Sequence, residues 1–244
     1  MKLFNIIKHR GPYYSALLKR VLNLYRSIFY RGDQVLCEIC GWEGQRFFDG
    51  ICPKCNALPR TRLIPFALRY FDLIKPHLNI LHVAPNIHEY HFVEKTFSLP
   101  SIYDRLNIRE IPHINIVQDL THTDLKSEQY DLAIAWHVLE HIPEDKKAIQ
   151  EVYRLLKPGG HFLVSVPIYP VGNLKTFEDL TIAYKDYGKV HGHHDHCRSC
   201  GLDYYKRFEA VGFNAQTLEV KRLNQDEIVK FGLRTDHVVW CFAK

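Results

Sequence analysis

The chain has 244 residues, 46% hydrophobic and 24% charged, with seven cysteines and a formal net charge of +5. That composition excludes a disordered or low-complexity polymer, and the length allows one domain of ordinary size plus a small appendage. Charge is uneven: residues 1–32 hold seven Lys or Arg and no acidic residue, while the rest holds 25 basic and 27 acidic side chains. The body is therefore not the broad cation that a nucleic-acid surface requires, and any attraction to anionic lipid or RNA concentrates in the first 32 residues.

No run of about 18 uncharged apolar residues is present, so no transmembrane helix is expected. The N-terminal stretch is interrupted by Lys8, His9, Arg10, Lys19 and Arg20 and lacks the apolar core of a secretory signal. A cytoplasmic location follows as the expectation. Residues 13–30 can form an amphipathic helix, with Tyr14, Leu17, Leu18, Val21, Tyr25 and Ile28 at helical spacing. Such a helix suits peripheral contact with an anionic membrane at its inner face. Packing on its own domain or on a partner is its commoner use.

Residues 33–57 form a cysteine module. Cys37-x2-Cys40, eleven residues, then Cys52-x2-Cys55 is the spacing of a zinc ribbon: each pair sits on a tight turn and four thiolates close a tetrahedral shell. A closed shell leaves no open position, so the expected role is structural.

From residue 58 to 244 the pattern is that of one larger domain. Residues 57–75 read as a helix stopped by Pro76. Strands are expected at 79–84, 101–104, 114–117, 130–136 and 161–167, with helices at 86–98 and 145–157. A Lys157-Pro158-Gly159-Gly160 turn follows the second of these. A polar, His-rich segment occupies 168–200. A helix at 202–212 and strands at 215–220 and 237–243 close the chain. Alternating strands and helices imply a parallel sheet covered on both faces, and the final pair implies an antiparallel hairpin.

The segment YDLAIAWHVLEHIPEDKKAIQEVYRLLKPGGHFLVSVP (130–167) resembles class I S-adenosylmethionine-dependent methyltransferases. The resemblance implies a Rossmann-like α/β fold, a seven-stranded sheet with an antiparallel last strand, beside the small zinc ribbon. Over about residues 31–215 the chain resembles a narrower bacterial group. That group combines Cys-Gly-Trp, Cys-Pro-x-Cys, Arg-x-Arg and an Ala-Pro loop after the first strand. The matches are Cys40-Gly41-Trp42, Cys52-Pro53-Lys54-Cys55, Arg60-Thr61-Arg62 and Ala84-Pro85. The loop His82-Val83-Ala84-Pro85-Asn86 lacks the glycines most members carry. Asn86 and Thr61 stand where the narrower group has an acidic residue and a histidine.

In open α/β sheets the ligand sits outside the carboxyl ends of the strands. The cofactor-binding candidates are therefore His82, Ala84, Pro85 and Asn86 after the first strand and Asp104 at the end of the second, as an acceptor for ribose hydroxyls. Asp119 and Leu120 follow the third strand, Asp119 receiving the adenine amine as in the family. Trp136 and His137 end the fourth, with Trp136 suited to lie against a sulfonium. His196 is the candidate base for removing an acceptor proton, with Asp195 or Glu178 orienting it and His141 as the other candidate. Arg60, Arg62, Glu178 and Arg198 are candidates for holding the acceptor. The segment HGHHDHCRSC (191–200) allows two readings: a second metal site from Cys197, Cys200 and two histidines, or an active-site loop. The expected partner is a small-molecule or glycan acceptor, including lipid-linked sugars. A zinc-ribbon RNA methyltransferase and a non-catalytic binding protein of the same fold are the alternatives, with nucleic acid disfavoured by the charge balance.

Overall fold

The structure is a computed structural model that describes residues 18–97 and 101–244. The chain divides into two units. One takes the described residues up to Leu63 together with Asn224–Leu233; the other takes Ile64–Leu223 and Arg234–Lys244. The sequence-based boundary at residue 57 gave all of 224–233 to the larger domain, whereas the structure groups it with the cysteine module.

In the first unit, helix α1 covers residues 18–29 of the expected amphipathic segment. Tyr14 and Leu17, expected on its apolar face, lie outside the described residues. Trp42 Nε1 donates to Ser27 O at 2.9 Å, and Arg26 stacks 4.4 Å above the Phe48 ring. Leu18, Val21, Leu24, Tyr25, Ile28 and Phe29 remain exposed. Strands β1 (Val35–Cys37) and β2 (Trp42–Gly44) form an antiparallel hairpin, and helix α7 (Gln225–Phe231) packs on β1. The hairpin turn needs Gly41, whose φ of +68° is left-handed and directs the Cys40 and Gly41 amides onto Cys37 O. A small core of Val35, Trp42 and Ala57 surrounds the sulfurs. Helix α2 (Pro59–Tyr70) begins in this unit and continues into the other.

The second unit is a seven-stranded sheet. Its strands are β3 (Asn79–Val83), β4 (Ile102–Asn107), β5 (Ile116–Val117), β6 (Tyr130–Trp136), β7 (Leu156–Ser165), β8 (Asn214–Glu219) and β9 (Val238–Ala243), in the order β5-β4-β3-β6-β7-β9-β8. β3 to β7 pair in parallel; β9 inserts between β7 and β8 and is antiparallel to both. The seven-stranded sheet with an antiparallel last strand is thus present. The strand order reverses between β3 and β6, which opens the crevice where such sheets bind ligands.

The sheet is covered on both faces, as its apolar central strands require. Helix α3 (Ile87–Thr96) follows β3, and α4 (Asp145–Leu155) follows β6. α4 turns Ala148, Ile149, Val152 and Leu155 onto Ala133, Ala135, Phe162 and Val164. Short helices α5 (Tyr187–His191) and α6 (Lys206–Glu209) lie in the long connection after β7. Lys157–Gly160 belongs to β7, not to a free turn; the pairing slips between Tyr130 and Leu132, and Gly159 takes a φ of +77°. Among the described residues, no helix is long and apolar enough to cross a membrane.

Candidate functional site

A cavity of about 630 Å³ opens at the carboxyl ends of the parallel strands. The end of β3 and the loop after it contribute Val83 and Ala84, and β4 contributes Leu106 and Asn107. The turn after β5 contributes Asp119, Leu120 and Thr121, and the segment after β6 contributes His137, Val138 and His141. Tyr184 and Asp195, from the connection after β7, form the outer rim.

Two backbone bends shape its inner wall. Ala84 has a φ of +47° and donates its amide to Leu106 O at 2.7 Å; His137 has a φ of +54° and donates to Ser165 O at 2.8 Å. A left-handed conformation is ordinarily a glycine position, and a side chain there costs about 1–2 kcal/mol. The loop after β3 therefore keeps a glycine-type backbone path with the smallest side chain that has a Cβ. The missing glycines of His82–Asn86 do not fill the cavity.

Several expected cofactor residues take other positions. Asp104 is not at the end of its strand. β4 continues three residues further, and Asp104 accepts from Tyr130 Oη at 2.6 Å and Asn115 Nδ2 at 2.9 Å. The residue at the strand end is Asn107, which lines the cavity and was not singled out from the sequence. His82 points off the cavity into the layer beneath α3, with Nδ1 3.1 Å from Tyr103 Oη. Burial pushes its pKa down to about 3, and His113 and Arg105 push in the same direction. Asn86 is the N-cap of α3: its side chain accepts from the amides of His88 and Glu89, and Glu89 returns the bond to the Asn86 amide. Pro85 is buried and its carbonyl contacts His113 Nε2 at 2.7 Å. Trp136 is buried at the end of β6 and does not line the cavity, since alternation turns it away from the face of Ala133 and Ala135. Ala84, Asp119, Leu120 and His137 do line it.

The candidate proton-handling residues converge on one rim. His141 Nδ1 lies 3.1 Å from Asp195 O and 3.4 Å from Asp195 Oδ1. His193 Nδ1 contacts the same carboxylate, and the His141 and His196 rings meet edge-on at 4.8 Å. Burial pushes the His196 pKa down to about 4, against the upward pull of Glu140, with His141 and His193 adding to the fall. Glu140, which the sequence reading passed over inside HVLEH, is the buried acid of this group. It is 1% exposed, and neither carboxylate oxygen has a hydrogen-bond partner among the described residues. His137 Nδ1 at 3.4 Å and His141 Nε2 at 3.8 Å are charge contacts to its Oε1. Burial opposes ionisation of Glu140, but these two imidazoles outweigh it and hold its pKa below the usual carboxylate value.

Two of the three arginines expected to hold an acceptor, Arg62 and Arg198, are structural. Arg198 is wholly buried: it donates to the Leu139 and Pro143 carbonyls and to Glu178 Oε1 at 2.6 Å, with Asp145 at 3.4 Å. Glu178 and Asp145 are shared with Arg207, and Tyr204 Oη donates to Asp145 at 2.6 Å. With its donors turned inward, Arg198 anchors the segment that carries His141, and Glu178 is its counter-ion. Arg62 donates to the carbonyls of Gly50, Ala57, Phe231 and Gly232 and stacks 3.8 Å over Phe47, all within the first unit. Arg60 is exposed on α2 in that same unit. The cavity is walled by the second unit's own residues. A second metal site using Cys197 and Cys200 is not assembled: both are buried in the core, and Cys197 Sγ donates to Glu140 O at 3.2 Å.

In the first unit, Cys37, Cys40, Cys52 and Cys55 offer four sulfurs within 4.8 Å of one another, with Cys37–Cys55 and Cys40–Cys52 both at 3.7 Å. A tetrahedral site with ~2.3 Å zinc–sulfur bonds has edges of about 3.8 Å. The spacing therefore fits zinc and is far too long for a disulfide.

Comparison with known proteins agrees with this architecture. The methyltransferase domain family matches residues 36–218. An 89-residue stretch is 33% identical to the ubiquinone/menaquinone biosynthesis C-methyltransferase UbiE of Haemophilus ducreyi, covering 34% of this chain and 34% of that protein. Among solved structures, an S-adenosylmethionine-dependent methyltransferase from Mesorhizobium loti aligns with a TM-score of 0.52 at 17% identity, over 73% of this chain and 96% of that one. The 1,6-didemethyltoxoflavin-N1-methyltransferase of Burkholderia thailandensis, bound to 1,6-didemethyltoxoflavin and S-adenosylhomocysteine, aligns at 0.50 with 15% identity, over 76% and 79%. With three quarters of its length matched and the strand order described above, the chain belongs to the methyltransferase domain family.

Proposed function

We propose that this enzyme methylates an oxygen of a small molecule or glycan, with the cofactor in the strand-end cavity and the acceptor entering past Tyr184 and Asp195. The observation that carries the reading is His141 and Asp195 standing on the rim of that cavity, with the His196 ring packed edge-on against His141. A hydroxyl must lose its proton as it becomes a nucleophile, and an imidazole beside a carboxylate suits that task. Bound S-adenosylmethionine supplies the electrophilic methyl on its sulfonium. Asn107 offers hydrogen bonds to ribose hydroxyls, Asp119 accepts from the adenine amine, and the bends at Ala84 and His137 frame the methionine end. The carboxylates of Glu144 and Asp195 favour a cationic ligand there. His196, neutral at pH 7, holds the acceptor hydroxyl, and His141, oriented by Asp195, receives its proton.

Two further features fit a lipid-linked glycan acceptor. The exposed apolar side chains of α1 lie on the same short helix as Lys19 and Arg20, which supports peripheral contact with an anionic membrane. Zinc held by the four cysteines would give the first unit a fixed core that its few apolar residues do not supply. The test is calorimetric titration with S-adenosylhomocysteine, followed by methyl-transfer assays on hydroxyl-bearing sugars. One-to-one binding by the wild type, and turnover lost in His141→Ala with cofactor binding kept, are expected. Absence of any binding heat would overturn the reading.

A further inference from the structure

We propose that Glu140, His141 and His196 form a second metal site, for a divalent first-row transition cation, behind the acceptor side of the cavity, which His141 lines. One oxygen and two imidazole nitrogens from these residues lie within 4.8 Å of one another. Donors about 2.1 Å from a shared ion stand ~3–3.5 Å apart, so small side-chain movements close the set. The Glu140–His141 pair is already at 3.8 Å.

Glu140 is the stronger argument. A carboxylate buried to 1% exposure ordinarily accepts several hydrogen bonds, because an unsatisfied buried charge is costly. Here both oxygens lack a donor among the described residues, although the rest of the residue is firmly held. Its backbone carbonyl accepts from the Cys197 amide at 3.0 Å and from the Cys197 thiol at 3.2 Å. The fold has fixed an acid in place and left its charge facing only imidazoles, which are cations only at the cost of a proton. A metal ion removes that conflict.

The second observation is the orientation of His141. A metal-bound imidazole typically offers one nitrogen to the ion and donates the other N–H to a carbonyl or carboxylate. His141 turns Nε2 to Glu140 and Nδ1 to the Asp195 carbonyl at 3.1 Å. Two imidazoles and one carboxylate favour Zn²⁺, Mn²⁺, Fe²⁺, Co²⁺ or Ni²⁺ over Mg²⁺ or Ca²⁺, which prefer oxygen ligands. Three protein ligands leave positions open, and His141 lines the cavity, so the open side faces where an acceptor oxygen would lie. The inference rests on the proposed acceptor site and changes one part of it. The cation, rather than a bare imidazole, would lower the acceptor hydroxyl's pKa, and the proton would leave to the adjacent Asp195–His193 pair.

The experiment uses the full-length protein, dialysed against a mild chelator that leaves one zinc per chain. It is titrated with Co²⁺, followed by total metal content and visible absorption. The expected result is one added equivalent with weak bands and no thiolate-to-cobalt charge transfer. Its affinity should fall at least about tenfold in both Glu140→Gln and His196→Ala, with the far-ultraviolet circular dichroism spectrum unchanged as a report that the second unit is folded. No second equivalent in the wild type, or one that persists in both variants, overturns the site. S-adenosylhomocysteine binding measured on the same samples separates the two levels. Cofactor binding without Co²⁺ binding refutes the metal alone, and absence of both refutes the acceptor-site reading beneath it.

Discussion

Replacing Arg198 with Gln tests whether this residue serves the fold or an acceptor. The side chain is wholly buried and meets four partners: the Leu139 and Pro143 carbonyls, Glu178 and Asp145. Burial works against its charge, but Tyr204, Asp145 and the groups around them more than offset this, so its pKa stands above the usual guanidinium value. Removing one member of a buried ion pair typically costs about 3–5 kcal/mol. The lower end applies here, because Arg207 still holds Asp145 at 2.6 Å and Glu178 at 2.7 Å. About 3 kcal/mol in a chain of this size is a fall in Tm of about 6–12 °C. Differential scanning calorimetry reads it directly. Arg198→Gln melting within about 2 °C of the wild type would refute the reasoning. The guanidinium would then be dispensable to the fold, as a group reserved for an acceptor should be.

Three other predictions concern the framework of the site. His82 is held at about 3 against about 6.5 when unfolded, so the unfolded chain takes up the extra proton between those values. Stability is complete above about pH 6.5 and falls as pH drops toward 3, by about 2 kcal/mol at pH 5. Glu89 Oε2, at 3.8 Å from Nε2, is the opposing anion, but its carboxylate is engaged with Asn86, and burial prevails. The difference in Tm between pH 7.5 and pH 5 should be smaller in His82→Phe than in the wild type; an equal difference counts against the assignment. Ala84→Gly should keep S-adenosylhomocysteine affinity within about threefold. Ala84→Val, which puts a β-branched side chain at a left-handed position facing the cavity, should weaken it about tenfold or more. Binding by the valine variant at wild-type strength would show that the cofactor does not approach this loop. Cys52→Ser should take zinc content from one equivalent toward none and lower the melting temperature; a full zinc complement in the variant contradicts a four-thiolate site.

What was legible in the sequence tracks how local the signal is. The run 130–136 and the helix at 145–155 were readable because a strand buried on both faces is apolar throughout, and an amphipathic helix repeats its stripe every turn. The cysteine spacing was readable because two tight turns determine where four sulfurs go. β4 ended too early because Asp104 and Arg105 interrupt its apolar run. Both find distant partners: Tyr130 and Asn115 for the aspartate, and the Tyr90 ring and the His113 carbonyl for the arginine. With the strand shortened, Asp104 took the place that Asn107 holds. Asn86 was taken for a cofactor loop residue because an N-cap and a ligand-binding turn call for the same short polar side chain.

The arginines show the limit more sharply. Arg198 and its carboxylates are 20 to 53 positions apart in the chain, and nothing in Asp-His-x-Arg distinguishes a ligand-binding guanidinium from a buried one. The decision depends on whether Asp145 and Glu178 converge on it, and convergence is a property of the sheet. Glu140 is the reverse case. In sequence it is one acid within an apolar-rich turn, with solvent exposure as its default expectation. The fold instead buries it and surrounds it with His137, His141 and His196; His137 and His141 hold its pKa down, with no well-formed hydrogen bond to either oxygen among the described residues. An acid buried in this way is costly unless a cation lies beside it. That buried charge behind the cavity, held by imidazoles and by no well-formed hydrogen bond, is why the metal question turns on Glu140 and not on the arginines.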